Sequence, residues 1–145
     1  MNDLEKAIDL AVNAYADQTD KGNATYIRHP LRVMEAVDTE PERIVAVLHD
    51  VVEDADYSLE NIEKEFGEEI RDAVDALTRR DDESYMDFID RSAANQIAKK
   101  VKIADIEDNM NLTRLDSVSE SILQKQATYH DAWKKLKEDE QSDNP

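Results

Sequence analysis

Cysteine is absent from the 145 residues, glycine occurs twice and proline three times. Without cysteine there can be no disulfide, thiolate metal ligand or cysteine nucleophile. Two separated glycines do not make a Walker-type phosphate loop. No apolar run approaches the roughly 20 residues of a membrane-spanning helix. The start, "MNDLEKAIDLAV", is acidic and lacks a signal-peptide layout. Positive charge is also short: 18 basic against 35 acidic residues leave a net charge of −17. This argues against a general nucleic-acid surface, which needs a basic footprint. It also repels anionic substrates at long range unless a bound cation reverses the field locally. The acid excess itself reads as a solvated surface or a salt-adapted source. The expectation is a cytoplasmic protein that binds neither nucleic acid nor membrane.

What is present is a helical period almost everywhere, with no strand alternation. Leu4, Ala7, Ile8, Ala11, Val12 and Tyr15 make one apolar stripe, ended by the loop "DQTDKGNATYI". Pro30 suits the first turn of a second helix. Thr39 is a cap, Pro41 lies in the first turn and Glu42 completes a capping box. The helix so started runs on through "RIVAVLHDVVED" and is apolar on nearly all sides, which predicts a central, buried position. Ser58 and Ser84 are further caps, and Gly67 marks a break. Two longer helices follow, "NQIAKKVKIADIEDNMNLTRL" and "SESILQKQATYHDAWKKLKE". The fold class is all-α, a single bundle of about seven or eight helices on these cap and break signals. Residues 1–137 form the domain and 138–145 a disordered acidic tail. His130 is expected to be exposed. Trp133 packs the last helix against the body or forms a dimer contact; the oligomeric state is open.

Within the central helix, "VLHDVVEDAD" carries His49, Asp50, Glu53 and Asp54. Glu53 is four residues after His49 and Asp54 four after Asp50, so a helix gathers them into one polar patch. Burying four ionisable groups is expensive unless something pairs with them. An imidazole beside a carboxylate suits a divalent metal. The alternative is a histidine at the rim of a core with solvated acids beyond it. "YIRHP" puts His29 before Pro30, and "VKIADIEDNMNL" puts Asp105 and Asn109 four apart on one face. Neither is specific alone.

Taken in order, "YIRHP", "VLHDVVEDAD", "SLENIEKEFGEEIRDAVDALT" and "KIADIEDN" resemble the HD superfamily, and within it the hydrolase domain of RelA/SpoT-type enzymes and the small alarmone hydrolases. The resemblance spans roughly residues 1–115. It implies an HD-domain helical bundle in which His29, His49, Asp50 and Asp105 hold one divalent ion per chain, most often manganese. Glu53 and Asp54 would activate or position the attacking water, and Asn109 would lie at the nucleotide. The activity implied is removal of the 3′-pyrophosphate of ppGpp and pppGpp through a metal-activated water. The donor types fit such chemistry, since two imidazoles and two carboxylates leave positions open for water and a phosphate oxygen. A chain of this length has no room for a synthetase domain, so a stand-alone hydrolase is expected.

The metal motif is complete, but the nucleotide-recognition residues depart from the family. Of two adjacent basic residues usual in the loop before "YIRHP", Lys21 remains and Asp20 replaces the other; a carboxylate there would repel a polyphosphate. Ile106 and Asp108 stand where arginine and histidine are common, Asn111 where an arginine is expected, and Tyr15 where the first helix often has a histidine. Lys21, Tyr26, Arg28, Lys102 and Asn109 are the substrate-contact candidates, with Arg32 and Lys99 as further phosphate contacts. Two other functions stay open: an HD-type phosphatase acting on another nucleotide or dinucleotide cofactor, and a non-catalytic nucleotide-binding module.

Overall fold

Helix starts follow the capping side chains. In the computed structural model, which describes residues 1–142, Asn2 caps α1 (Asp3–Ala14) and forms a full capping box with Glu5. Arg28–Glu35 form α2. Thr39 and Glu42 form the box that starts α3 (Glu40–Leu48). Ser58 caps α5 (Leu59–Phe66), and Gly67, at φ +94°, separates it from α6 (Glu68–Ala76). Glycine tolerates that backbone conformation, whereas a side chain there is strained. Ser84 caps α7 (Tyr85–Ala93) and Asn95 caps α8 (Gln96–Asn109). A 3-10 turn (Leu112–Arg114) leads towards α9 (Glu120–Ser142). With the four-residue α4 (Val51–Asp54), the described residues hold eight helices of eight residues or more and no strand, only an isolated bridge between Thr19 and Thr25. The all-α bundle is as expected.

The long helix expected through "RIVAVLHDVVED" is broken. It ends at Leu48, His49 and Asp50 form a turn, and α4 resumes at Val51. His49 Nδ1 donates to the carbonyl of Ala46 at 2.5 Å, the acceptor that continuation of the helix would give to the Asp50 amide. Asp50 sits at φ −104°, ψ −1°, at the edge of the right-handed helical region.

Helix α3 packs against α1, α2, α6 and α8. That is why Ile44 to Leu48 are buried without interruption, each large side chain contributing about 1.5–3 kcal/mol by leaving water. A second, smaller core joins Ile89 of α7, Ile103 and Ile106 of α8, and Ala132 and Leu136 of α9. Helix α8 lies between the two cores, which explains its apolar residues on several sides. Trp133 packs on the second core and its Nε1 donates to Glu107 at 3.1 Å; His130 is exposed. Val12, expected in the first stripe, is 48% exposed, while Leu10 and Ala14 pack instead. The helix α9 carries on to Ser142, through residues 138–142 of the expected tail. Glu140 meets Lys100 at 2.9 Å and Lys137 at 3.7 Å, which offsets the charge of that turn. Residues 143–145 of the tail lie outside the described residues.

Arg91 clamps the loop between α6 and α7. Its guanidinium donates to the carbonyls of Asp75 at 2.9 Å and Thr78 at 2.7 Å and forms a bidentate pair with Glu83 at 2.8 and 2.9 Å. Arg91→Met is expected to destabilise the fold by about 1.5–3 kcal/mol, the range for lost charged hydrogen bonds, read as a lower denaturation midpoint at unchanged slope. Arg91 holds Glu83 down at about 2, below its ordinary 4.5. A depressed carboxyl pKa adds stability that is present above pH 4.5 and lost as pH falls towards 2. The stability difference between the parent and Glu83→Gln should therefore close over that interval in a pH series of unfolding curves.

Candidate metal centre

Four side chains from three parts of the fold meet at one point. His29 comes from the first turn of α2, His49 and Asp50 from the turn after α3, and Asp105 from the last turns of α8. Each offers one ligand atom, and these atoms lie within 4.8 Å of one another. His29, His49 and Asp105 are buried and Asp50 is half-buried. Asp105 Oδ1 is 2.8 Å from His29 Nε2 and 3.2 Å from His49 Nε2, and Asp50 Oδ2 is 3.1 Å from His49 Nε2.

The outer imidazole nitrogens decide the tautomers. His29 Nδ1 faces Asp108 Oδ2 at 2.6 Å and His49 Nδ1 faces the Ala46 carbonyl at 2.5 Å. Both partners are acceptors, so both Nδ1 atoms carry hydrogen and both Nε2 atoms point inward. A neutral Nε2 beside a carboxylate oxygen is repulsive unless a proton or a shared cation lies between them. Burial works to lower both histidine pKa values, but the carboxylates of Asp105 and Asp108 at His29, and of Asp50 and Asp105 at His49, outweigh it and hold both raised. The same balance acts on the acids. Burial would raise Asp105, yet Lys102 and His49 hold it well below the usual carboxylate range. A divalent ion supplies the two positive charges that this donor set needs, and inward nitrogens with outer hydrogen-bond partners are how ligating histidines are oriented.

A second layer fixes the first. Tyr26 OH donates to Asp50 Oδ2 at 3.1 Å, its ring packed at a tilt of 49° against Tyr15 with centroids 4.7 Å apart. Asn109 Nδ2 donates to Asp105 Oδ1 at 3.3 Å and Lys102 Nζ to Oδ2 at 2.9 Å. Asp108 holds His29 and is itself held by Arg32, whose Nε and Nη2 reach its two oxygens at 2.7 and 3.0 Å. Arg114 Nη2 donates to the Asp108 carbonyl at 2.8 Å, and its Nη1 reaches Asp20 at 3.5 Å. This corrects the reading of Asp20 as a bare repulsive carboxylate. Its Oδ1 accepts from the Gly22 and Ala24 amides at 2.9 Å each, so it shapes the loop while Arg114 offsets its charge. A Cβ on Gly22 would lie 3.0 Å from the Arg114 carbonyl, so a side chain there requires the two backbone segments to move apart by a few tenths of an ångström.

The centre opens into a pocket of about 660 Å³ lined by Lys21, Tyr26, Lys102 and Asn109 among the expected contacts, and by Glu53. Glu53 Oε1 accepts from the Arg79 amide at 2.5 Å. Asp54 is not part of that wall; it lies one residue on, largely open to solvent, with its carboxyl pushed up to about 6 by partial desolvation and by the charges of Asp50 and Glu53. Arg28 is exposed and outside the pocket, because α2 turns it away as it turns His29 in. Arg32 is committed to Asp108, and Lys99 is buried beside Asp139 of α9 at 3.2 Å. Neither lines the pocket. Arg79, Arg114 and Lys125, with Tyr85 and Tyr129, line it unforeseen. The spacing of Lys125 and Tyr129, four apart on one helix face, was the available signal.

The sequence matches a family described as HD domain over residues 7–108. It is 30% identical over 125 residues to a protein of Mycobacterium leprae (strain TN) named "Probable GTP pyrophosphokinase", covering 77% of this chain and 16% of that one. It is 31% identical over 127 residues to a "Probable guanosine-3′,5′-bis(diphosphate) 3′-pyrophosphohydrolase" of Synechocystis sp. (strain ATCC 27184 / PCC 6803 / Kazusa), covering 79% and 17%. The chain thus spans about a sixth of the length of these relatives. A solved structure described as a metazoan ortholog of SpoT that hydrolyzes ppGpp superposes with a TM-score of 0.77 at 22% identity, over 94% of this chain and 85% of that one. That likeness carries the fold. Among the described residues no helix is long and apolar enough to cross a membrane.

Asp108→Ala leaves the four candidate ligands in place but removes the partner of His29 Nδ1. It should weaken divalent-metal binding by about 10–100-fold, the usual effect of losing an outer partner of a ligating histidine, as read by calorimetric titration with Mn²⁺. His49→Ala should abolish stoichiometric binding in the same assay.

Proposed function

The chain belongs to the HD-domain family, and from that premise we propose that it is a divalent-metal-dependent phosphohydrolase that removes the 3′-pyrophosphate of (p)ppGpp or a related purine alarmone. The observation that carries this reading is the convergence of His29, His49, Asp50 and Asp105 at one point, with His29, Asp50 and Asp105 on the wall of a pocket that also holds Glu53. We take the ion to be manganese, one per chain. A bound divalent ion supplies Lewis acidity, making water acidic enough to attack near neutral pH and offsetting charge on phosphoryl oxygens.

The side chains supply the rest. Glu53 is fixed by the Arg79 amide and faces the pocket, placed to accept a proton from an attacking water. Asp54 lies one residue on, outside the pocket wall, and is the candidate to relay that proton from Glu53 to solvent. Asn109 and Tyr26 are first of all holders of Asp105 and Asp50. Charge argues for an anionic substrate. Five basic and four acidic side chains line the pocket, a balance of +1 before any cation is added, in a chain of −17. Lys21, Arg79, Arg114 and Lys125 are the candidates to meet phosphates.

Ile106, read as the place of a missing cation, is buried in the second core and outside the pocket, but the neutral Asn111 on the pocket wall favours a second reading, a phosphatase acting on another nucleotide, because a cation usual in the family is missing there. Products distinguish the two. With Mn²⁺, the first reading expects pyrophosphate from ppGpp, and orthophosphate in its place supports the second. Glu53→Gln should lower kcat by about 10²-fold or more at unchanged metal content, and full activity in that variant would remove Glu53 from the mechanism.

A further inference from the structure

We infer that Lys102 is a positioning residue that limits Asp105 to one donor oxygen and keeps the metal centre positively charged, so that it holds metal affinity below what the four ligands alone would give. This rests on the reading of His29, His49, Asp50 and Asp105 as metal ligands. The two oxygens of Asp105 have separate surroundings. Oδ1 faces inward, 2.8 and 3.2 Å from the two imidazoles. Oδ2 accepts from Lys102 Nζ at 2.9 Å. Lys102 precedes Asp105 by three residues on α8, so the helix itself sets the pair face to face.

Lys102 has little freedom to leave. Its side chain is 12% exposed, and its ammonium lies 5.0 Å over the buried ring of Phe88, a favourable seat for a cation. A carboxylate can bind a cation through one oxygen or two. With Oδ2 committed to the ammonium, Asp105 is left with one. The charge sum matters equally. Asp50 and Asp105 together would neutralise a divalent ion, and Lys102 restores one positive charge at the spot where an anionic substrate must approach. Removing that charge has two effects of the same sign. The ion loses a repulsive neighbour, and the buried Oδ2 is left without a partner in the metal-free protein, a cost that metal binding relieves.

A phosphate-contact role for Lys102 predicts otherwise: KM rises and metal affinity stays the same. The test is calorimetric titration of Mn²⁺ into the parent, Lys102→Met and Lys102→Arg, with the visible absorption of the Co²⁺-substituted proteins as a second readout. Lys102→Met is expected to bind one Mn²⁺ per chain at least about tenfold more tightly, roughly what a unit charge a few ångströms away gives even in water, and to show an altered Co²⁺ band. Lys102→Arg keeps the charge and should match the parent in both. Unchanged or weaker Mn²⁺ binding by folded Lys102→Met overturns the inference. If that variant does not fold, Lys102→Gln is held to the same tightening. A parent that binds no ion, or whose binding survives His49→Ala, overturns the ligand reading instead.

Discussion

Keeping Asp50 and Asp105 ionised inside an apolar body is the constraint on which the site depends. Burial pushes both carboxyls towards protonation, and each also repels the other. What reverses this is a set of positive or protonated groups from separate elements: His29 on α2, His49 after α3 and Lys102 on α8. No one helix can assemble that set. The bundle therefore brings together its two cores, which meet along α8, and its charged centre in the same step.

The outer layer turns a charge cluster into an oriented one. Asp108 and the Ala46 carbonyl fix which nitrogen of each imidazole points inward. Arg32 and Arg114 fix Asp108, and Arg114 continues to Asp20 and the loop that carries Lys21. The loop that carries Lys21 and the imidazole of His29 thus share one hydrogen-bonded chain. The His49–Asp50 turn serves the same end, since an unbroken helix would have left the Ala46 carbonyl to the backbone.

Charge is distributed unevenly for a reason. An acidic surface weakens long-range attraction of anions, so affinity for one must come from short-range contacts in the pocket. There the basic side chains outnumber the acidic ones although the chain as a whole is strongly acidic.

Much of this was readable in the residue order. The caps at Thr39, Ser58 and Ser84, the break at Gly67 and the all-round burial of α3 followed from composition and period. The four converging side chains followed from three motifs, though only through their resemblance to a family, since each motif alone was ambiguous. Other features could not be read. Asp20 reads as a repulsive acid and is a loop organiser; Asp108 reads as a lost cation and orients His29; Lys102, expected at the substrate, lines the pocket and also holds Asp105. Arg28 looked like a neighbour of the site and points away from it. Caps, turns and helix faces depend on residues within about four positions, which a sequence displays directly. The role of a charged side chain depends on its partner, and Arg114 meets Asp20 across 94 residues of chain, a pairing that exists only once the helices have packed.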